Sequence, residues 1–117
     1  MKELTYYHNP RCSKSRQGLE LLKEKGVEPT VKLYLKEPMT EKEVLEIFKK
    51  AKLSPLEGLV RTKEATFKEL NLKDKTLTDK QWAKTIVENP VLLERPLLVS
   101  KDRAAVGRPP ENLLQII

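Results

Sequence analysis

Apolar and polar positions along the chain change period several times, and each change marks an element. Leu4-Thr5-Tyr6-Tyr7 is a short aromatic and β-branched run, which predicts a first strand. His8-Asn9-Pro10 breaks it, and Ser15, Gly18, Leu19 and Leu22 then recur at helical spacing until Gly26 closes the helix. From Thr30 to Leu35, Val31, Leu33 and Leu35 alternate with Thr30, Lys32 and Tyr34, predicting a second strand. A strand, a helix and a strand at this spacing imply a parallel pair joined by a right-handed crossover.

The middle of the chain is helical. Thr40-Glu41-Lys42-Glu43 has the form of a capping box, followed by an apolar stripe at Val44, Ile47, Phe48 and Ala51. Ser54-Pro55 reads as the start of a short helix running to about Val60, and a further short helix is expected within Thr62 to Leu70. Thr78-Asp79-Lys80-Gln81 repeats the box and opens a helix that stops at Asn89-Pro90, with Trp82, Ile86 and Val87 as its core residues. Strands return at Leu97-Leu98-Val99 and Ala104-Ala105-Val106, joined through Lys101-Asp102. Gly107-Arg108-Pro109-Pro110 ends the second of them, and Glu111 to Ile117 is expected as a short terminal helix carrying Leu113, Leu114 and Ile117. The order is β-α-β, a helical insert of about residues 40–90, then β-β-α. That is an α/β chain with a four-stranded mixed sheet, expected as a single domain over 1–117.

Composition narrows the chemistry. The 117 residues are 38% hydrophobic and 34% charged, enough for one core. No apolar run reaches the roughly 20 residues of a membrane span, and the first residues carry no secretory apolar region, so the expected address is the cytoplasm. One cysteine excludes an internal disulfide and a thiolate-rich metal site, and no metal is expected. The net charge of +6 permits an anionic partner, but lysines spread along helices read as solvated faces, and neither nucleic acid nor membrane is expected to bind. Nothing marks an oligomer interface, and a monomer is expected.

Cys12 follows a strand and a proline-containing loop and stands at the entry to a helix. N–H groups in a first helical turn lack intrahelical partners and, with the helix dipole, favour a thiolate or a bound oxyanion. Arg11, Lys14 and Arg16 place cations within a few residues of the sulfur. A lone cysteine is ordinarily a small buried hydrophobe; this position argues instead for a nucleophile. His8 either lowers the thiol pKa or caps the loop, and Ser15 is either an ordinary first-turn residue or a donor to an anion or thiolate. Arg95-Pro96 precedes a strand, where a cis bond would hold the strand's entry. Arg108 ends a strand and Arg61 ends a helical segment; each alone reads equally as a surface arginine.

The segment His8-Asn9-Pro10-Arg11-Cys12-Ser13-Lys14-Ser15-Arg16, with Glu28-Pro29, Tyr34-Leu35, Glu94-Arg95-Pro96-Leu97 and Gly107-Arg108-Pro109-Pro110, resembles the glutaredoxin-dependent arsenate reductase family. The match runs in order over essentially the whole chain, and it looks most like the short housekeeping branch without the C-terminal extension of longer members. The resemblance implies a thioredoxin-like fold with the helical segment inserted between its halves. It implies that Cys12 attacks arsenate, that Arg61, Arg95 and Arg108 hold the oxyanion, and that His8, Ser15, Arg16 and Pro96 support the site. It also implies no bound cofactor: glutathione serves as co-substrate, glutaredoxin resolves the mixed disulfide, and arsenite is released. A single thiol agrees, since the resolving sulfur must come from outside. Two other readings share the fold. One is an Spx-type regulator that binds RNA polymerase, against which stands Ser15 where such regulators carry the second cysteine of a Cys-x-x-Cys switch. The other is a glutathione-binding thiol oxidoreductase acting on a different substrate.

Overall fold

A computed structural model describes residues 3–117. Its elements are β1 (Thr5–Tyr7), α1 (Ser13–Glu24), β2 (Thr30–Lys32), α2 (Glu41–Ala51), α3 (Ala65–Glu69), α4 (Asp79–Glu88), β3 (Leu97–Val99) and β4 (Ala104–Val106). Short 3-10 segments occur at Pro55–Glu57, Leu72–Asp74, Pro90–Leu92 and Pro110–Ile116. The chain forms two compact units, one of residues 1–37 with 95–117 and one of residues 38–94. No helix among the described residues is long and apolar enough to cross a membrane.

The first unit is built on a four-stranded sheet in the order β2-β1-β3-β4. β1 runs parallel to β2, with Tyr6 opposite Val31, and antiparallel to β3, with Tyr6 opposite Leu98; β3 and β4 form the antiparallel hairpin. This is the mixed sheet expected from the order of elements. On one face Tyr6, Leu22, Leu98, Leu113 and Ile116 are buried together, with Leu4, Leu19, Val27 and Ala105 packed against them. α1 ends where expected: Gly26 has φ +76, a left-handed turn that costs glycine little, and its N–H returns to the Lys23 carbonyl.

The second unit is mostly helical. Both capping boxes form, Thr40 with Glu43 and Thr78 with Gln81, each side chain bonding the other residue's backbone N–H. α2 buries Val44, Ile47 and Phe48, while α4 buries Trp82, Ala83 and Ile86, leaving Val87 only half-buried. Phe67 of α3 stacks on Trp82 with ring centroids 6.5 Å apart.

Three local expectations change. The second strand stops at Lys32 because the Leu33 carbonyl accepts the N–H groups of Lys36 and Glu37 and turns the chain. The alternation is therefore broken: Val31 and Leu35 are exposed at 40% and 41%, and Tyr34 is buried instead. The helix expected from Ser54 to Val60 is a single 3-10 turn, ended by Gly58 at φ +145. Ser54 gives its hydroxyl to the Glu57 carboxylate at 2.6 Å rather than capping a backbone N–H. The terminal helix is 3-10 rather than α. With three residues per turn, the inward positions fall at i and i+3, so Leu113 and Ile116 are buried while Ile117 faces outward.

Pro96 fixes how closely this unit's elements meet. A Cβ added at Gly107 would lie 2.7 Å from the Pro96 ring and 3.0 Å from Leu113, and one at Gly18 on α1 would lie 3.1 Å and 3.0 Å from the same two residues. Rigid neighbours on both sides leave little room to relax. Gly18→Ala and Gly107→Ala are each expected to destabilise the protein by about 1–3 kcal/mol despite the better helix or strand propensity of alanine. Thermal or urea unfolding checks this, and an unchanged midpoint for either variant would contradict the packing described.

Candidate active site

The site grows out of the end of β1. The N–H of His8 still pairs with the Lys32 carbonyl at 2.9 Å, and the chain then turns over Asn9-Pro10-Arg11. Three bonds close that turn: Cys12 N–H to the Asn9 carbonyl at 2.9 Å, Arg11 N–H to Asn9 Oδ1 at 3.1 Å, and Arg16 Nη1 to the Pro10 carbonyl at 2.7 Å. Asparagine suits the position because its side chain can bond the backbone two residues on. Cys12 is the N-cap residue of α1, with extended backbone at φ −93 and ψ 122, and its carbonyl accepts the first helical bond from Arg16 N–H at 3.0 Å.

The thiol is half-buried. Burial by itself pushes its pKa up, but the Ser15 N–H, the Arg95 guanidinium as donor and charge, and the Lys14 N–H outweigh that and hold it below the ordinary thiol value. No short bond from an N–H to the sulfur caps the helix. The first turn therefore acts mainly through the field of its unpaired donors. The expected cations are corrected in part. The charge that acts on the sulfur comes from Arg95, more than 80 residues along the chain, whereas the guanidinium of Arg16 is bonded to the Pro10 carbonyl and shapes the loop.

A buried polar group stands behind the sulfur. Ser15 is fully buried, and its Oγ lies 2.8 Å from His8 Nδ1 and accepts the Asn9 N–H at 3.0 Å. The hydroxyl has a second lone pair and one proton, so the Ser15–His8 bond runs from Oγ when the ring carries its proton on Nε2 and from Nδ1 when the proton is there. Burial first, then the charges of Arg16 and Lys23, lower the His8 pKa and keep the ring neutral. The Ser15 carbonyl accepts the Tyr6 hydroxyl at 2.6 Å. Burial raises the tyrosine pKa far above its ordinary value, so Tyr6 stays a donor. His8 is thus the indirect group, and Ser15 turns its backbone N–H rather than its hydroxyl to the sulfur. Tyr6 escaped the sequence reading: a tyrosine in a strand pattern carries no mark of where its hydroxyl will go.

Both arginine–proline bonds, Arg95-Pro96 and Arg108-Pro109, are cis. The first was expected from its place before a strand; the second was not. Arg108 Nε donates to the Arg95 carbonyl at 2.7 Å, and Gly107 N–H donates to the Pro96 carbonyl at 2.8 Å. The structure thereby brings Cys12, Arg95, Pro96 and Arg108 into one neighbourhood. Arg61 belongs to the second unit, where it pairs with Glu64 at 2.7 Å and with Glu94 at 3.8 Å. No group of three or more potential metal ligands gathers among the described residues.

Sheet, helix and site together define a thioredoxin-like protein with one activated cysteine at the start of its first helix. The ArsC family model matches residues 7–116, and the chain belongs to the ArsC family. It is 41% identical to an arsenate reductase of Haemophilus influenzae, covering 95% of this chain and 96% of that one. It is 46% identical to a protein of Escherichia coli K12 called "Uncharacterized protein YfgD", covering 99% and 98%. Among solved structures, an arsenate reductase from Vibrio cholerae superposes with a TM-score of 0.92 at 39% identity, over 99% of this chain and 98% of that one.

Two outcomes follow from the electrostatics. The rate of Cys12 alkylation against pH is expected to reach half its plateau below the ~8.5 of a free thiol, and Arg95→Gln to move that midpoint upward and slow alkylation at neutral pH. An unshifted midpoint in the arginine variant would remove Arg95 from the account. For His8 the sign is that of a base with a lowered folded pKa. Its contribution to stability is complete above the unfolded value of about 6.5 and is lost as the pH falls through the folded value. Denaturant unfolding between pH 7 and pH 5 should show a stability loss that His8→Gln reduces.

Proposed function

We propose that this chain is an arsenate reductase that works with an external thiol. The observation that carries the reading is the sulfur of Cys12, held ready to ionise by first-turn N–H groups and by Arg95. The names of the relatives in Haemophilus influenzae and Vibrio cholerae point the same way. The thiolate attacks arsenic(V) and displaces one oxygen, which leaves as water after protonation. N–H groups of the α1 start and the guanidinium groups of Arg95 and Arg108 stabilise the negative charge of the oxyanion as the bond forms. Glutathione supplies the second thiol. Overall one arsenate and two thiols give one arsenite, one disulfide and one water: arsenic gains two electrons and two sulfurs lose one each. The disulfide joins Cys12 to glutathione, and glutaredoxin takes the glutathionyl group, returning Cys12 to the thiol.

A coupled assay with glutathione, glutaredoxin, glutathione reductase and NADPH tests this. Adding arsenate should consume one NADPH per arsenite formed. Cys12→Ser should fall to background with an unchanged circular dichroism spectrum, and Arg95→Gln should lose about a hundredfold in kcat/KM for arsenate, the scale of one lost oxyanion donor. Absence of arsenite from the wild-type reaction would end the proposal.

A further inference from the structure

Beside the cysteine loop lies a hollow of about 390 Å³, walled on one side by residues 8–11 and on the other by Leu33, Leu35 and Lys36 of the turn after β2. Its charge is one-sided: Arg11 and Lys36 are both exposed cations, and no acidic side chain is part of the wall. Its floor is apolar, from Pro10, Leu33 and Leu35, and Leu35 is among the few large hydrophobic residues left exposed, at 41%. The turn that breaks the second strand at Leu33 is what puts Leu35 and Lys36 there. Arg11 is the residue next to Cys12, and the Asn9 carbonyl in the same wall accepts the Cys12 N–H, so the hollow adjoins the loop that carries the thiol. A neighbouring hollow, between His8 and Arg16, Leu19, Glu20 and Lys23, matches an anion less well, because it includes a carboxylate and because Arg16 is already bonded to Pro10.

We infer that the hollow is the seat of the thiol co-substrate, a small acidic thiol peptide of the glutathione class. Such a peptide carries a carboxylate at each end and a net negative charge, with its sulfur on the central residue. Two cations set apart along a short apolar floor suit that arrangement: Arg11 takes one carboxylate, Lys36 the other, and Leu35 covers the methylene chain between them. The inference rests on the reading that Cys12 exchanges with an outside thiol, but not on arsenate being the oxidant.

The test is therefore made without arsenate. Cys12 thiolate attacks one sulfur of glutathione disulfide; the S–S bond breaks, Cys12 becomes the glutathionyl disulfide, and one glutathione thiolate leaves. The rate is compared with that for bis(2-hydroxyethyl) disulfide, which is neutral and lacks both carboxylates. Wild-type protein should prefer glutathione disulfide, and the preference should shrink with added salt. The double variant R11Q/K36Q and, separately, Leu35→Asp should cut the ratio of the two rates by about tenfold, as expected for two exposed ion pairs and one apolar contact. Because both rates share the same thiolate, a change in Cys12 ionisation or a partial loss of folding cancels in the ratio. A ratio unchanged in both variants overturns the inference. Arsenate turnover with an unchanged ratio removes the hollow and leaves the proposed function standing; a fallen ratio without arsenate turnover keeps the hollow and removes arsenate.

Discussion

The constraint on which the first unit depends is the approach of the Arg95-Pro96 segment to the start of α1. Arg95 brings a distant charge that acts on Cys12, and Pro96 next to it sits close against the helix at Gly18 and against the end of β4 at Gly107. Both glycines lack the Cβ that would hold the segment away. The electrostatics of the sulfur and the packing of the sheet are thus set by the same two residues. A shift that relieved the packing would also move the guanidinium, and hydrogen-bond and Coulomb terms fall off quickly with distance in a half-exposed setting.

The far side of the cysteine is fixed differently. Ser15 has no contact with solvent, yet it is surrounded by donors and acceptors: His8 and Asn9 at its hydroxyl, and Tyr6 at its carbonyl. Buried polar atoms left unpaired cost more than the bonds themselves contribute, so this cluster is stable only when complete. Completing it requires β1, the loop and the first turn of α1 to keep one arrangement, and that arrangement aims the Ser15 N–H at the sulfur. Burial and the charges of Arg16 and Lys23 favour the neutral His8 ring in this cluster.

How much of this was legible in the sequence differs by kind of interaction. Local rules served well. The two capping boxes, the glycine after α1, the order of elements along the chain and the position of Cys12 at a helix start all follow from patterns within a few residues. Where an element's periodicity depended on a neighbour, the reading slipped. Val31 and Leu35 alternate as a strand should, but β2 is an edge strand of three residues with only β1 beside it, and the Leu33 turn ends it. The terminal segment has apolar residues at 113, 114, 116 and 117, which fit either an α-helix or a 3-10 helix; the structure forms the latter, with Leu113 and Ile116 in the core beside Leu22 of α1. Nothing local marks Arg95 as the cation for Cys12, because only the pairing of β3 with β1 brings it there.

That difference bears on how the site divides its work. The first-turn N–H groups come with any helix that begins at this loop. Arg95 and Arg108, which the proposed function sets against an oxyanion, flank the β3–β4 hairpin and are tied together by the bond from Arg108 Nε to the Arg95 carbonyl. Cys12 therefore belongs to the β-α-β half and the guanidinium that acts on its thiol to the β-β half, with the β1–β3 pairing as the joint between them. On the opposite side of the cysteine loop, the turn after β2 adds Lys36 and Leu35 from the parallel edge of the same sheet. Under the proposed function one sulfur meets the oxyanion and the outside thiol from two sides, since the second thiol has to arrive while the first is still bound to the oxidant.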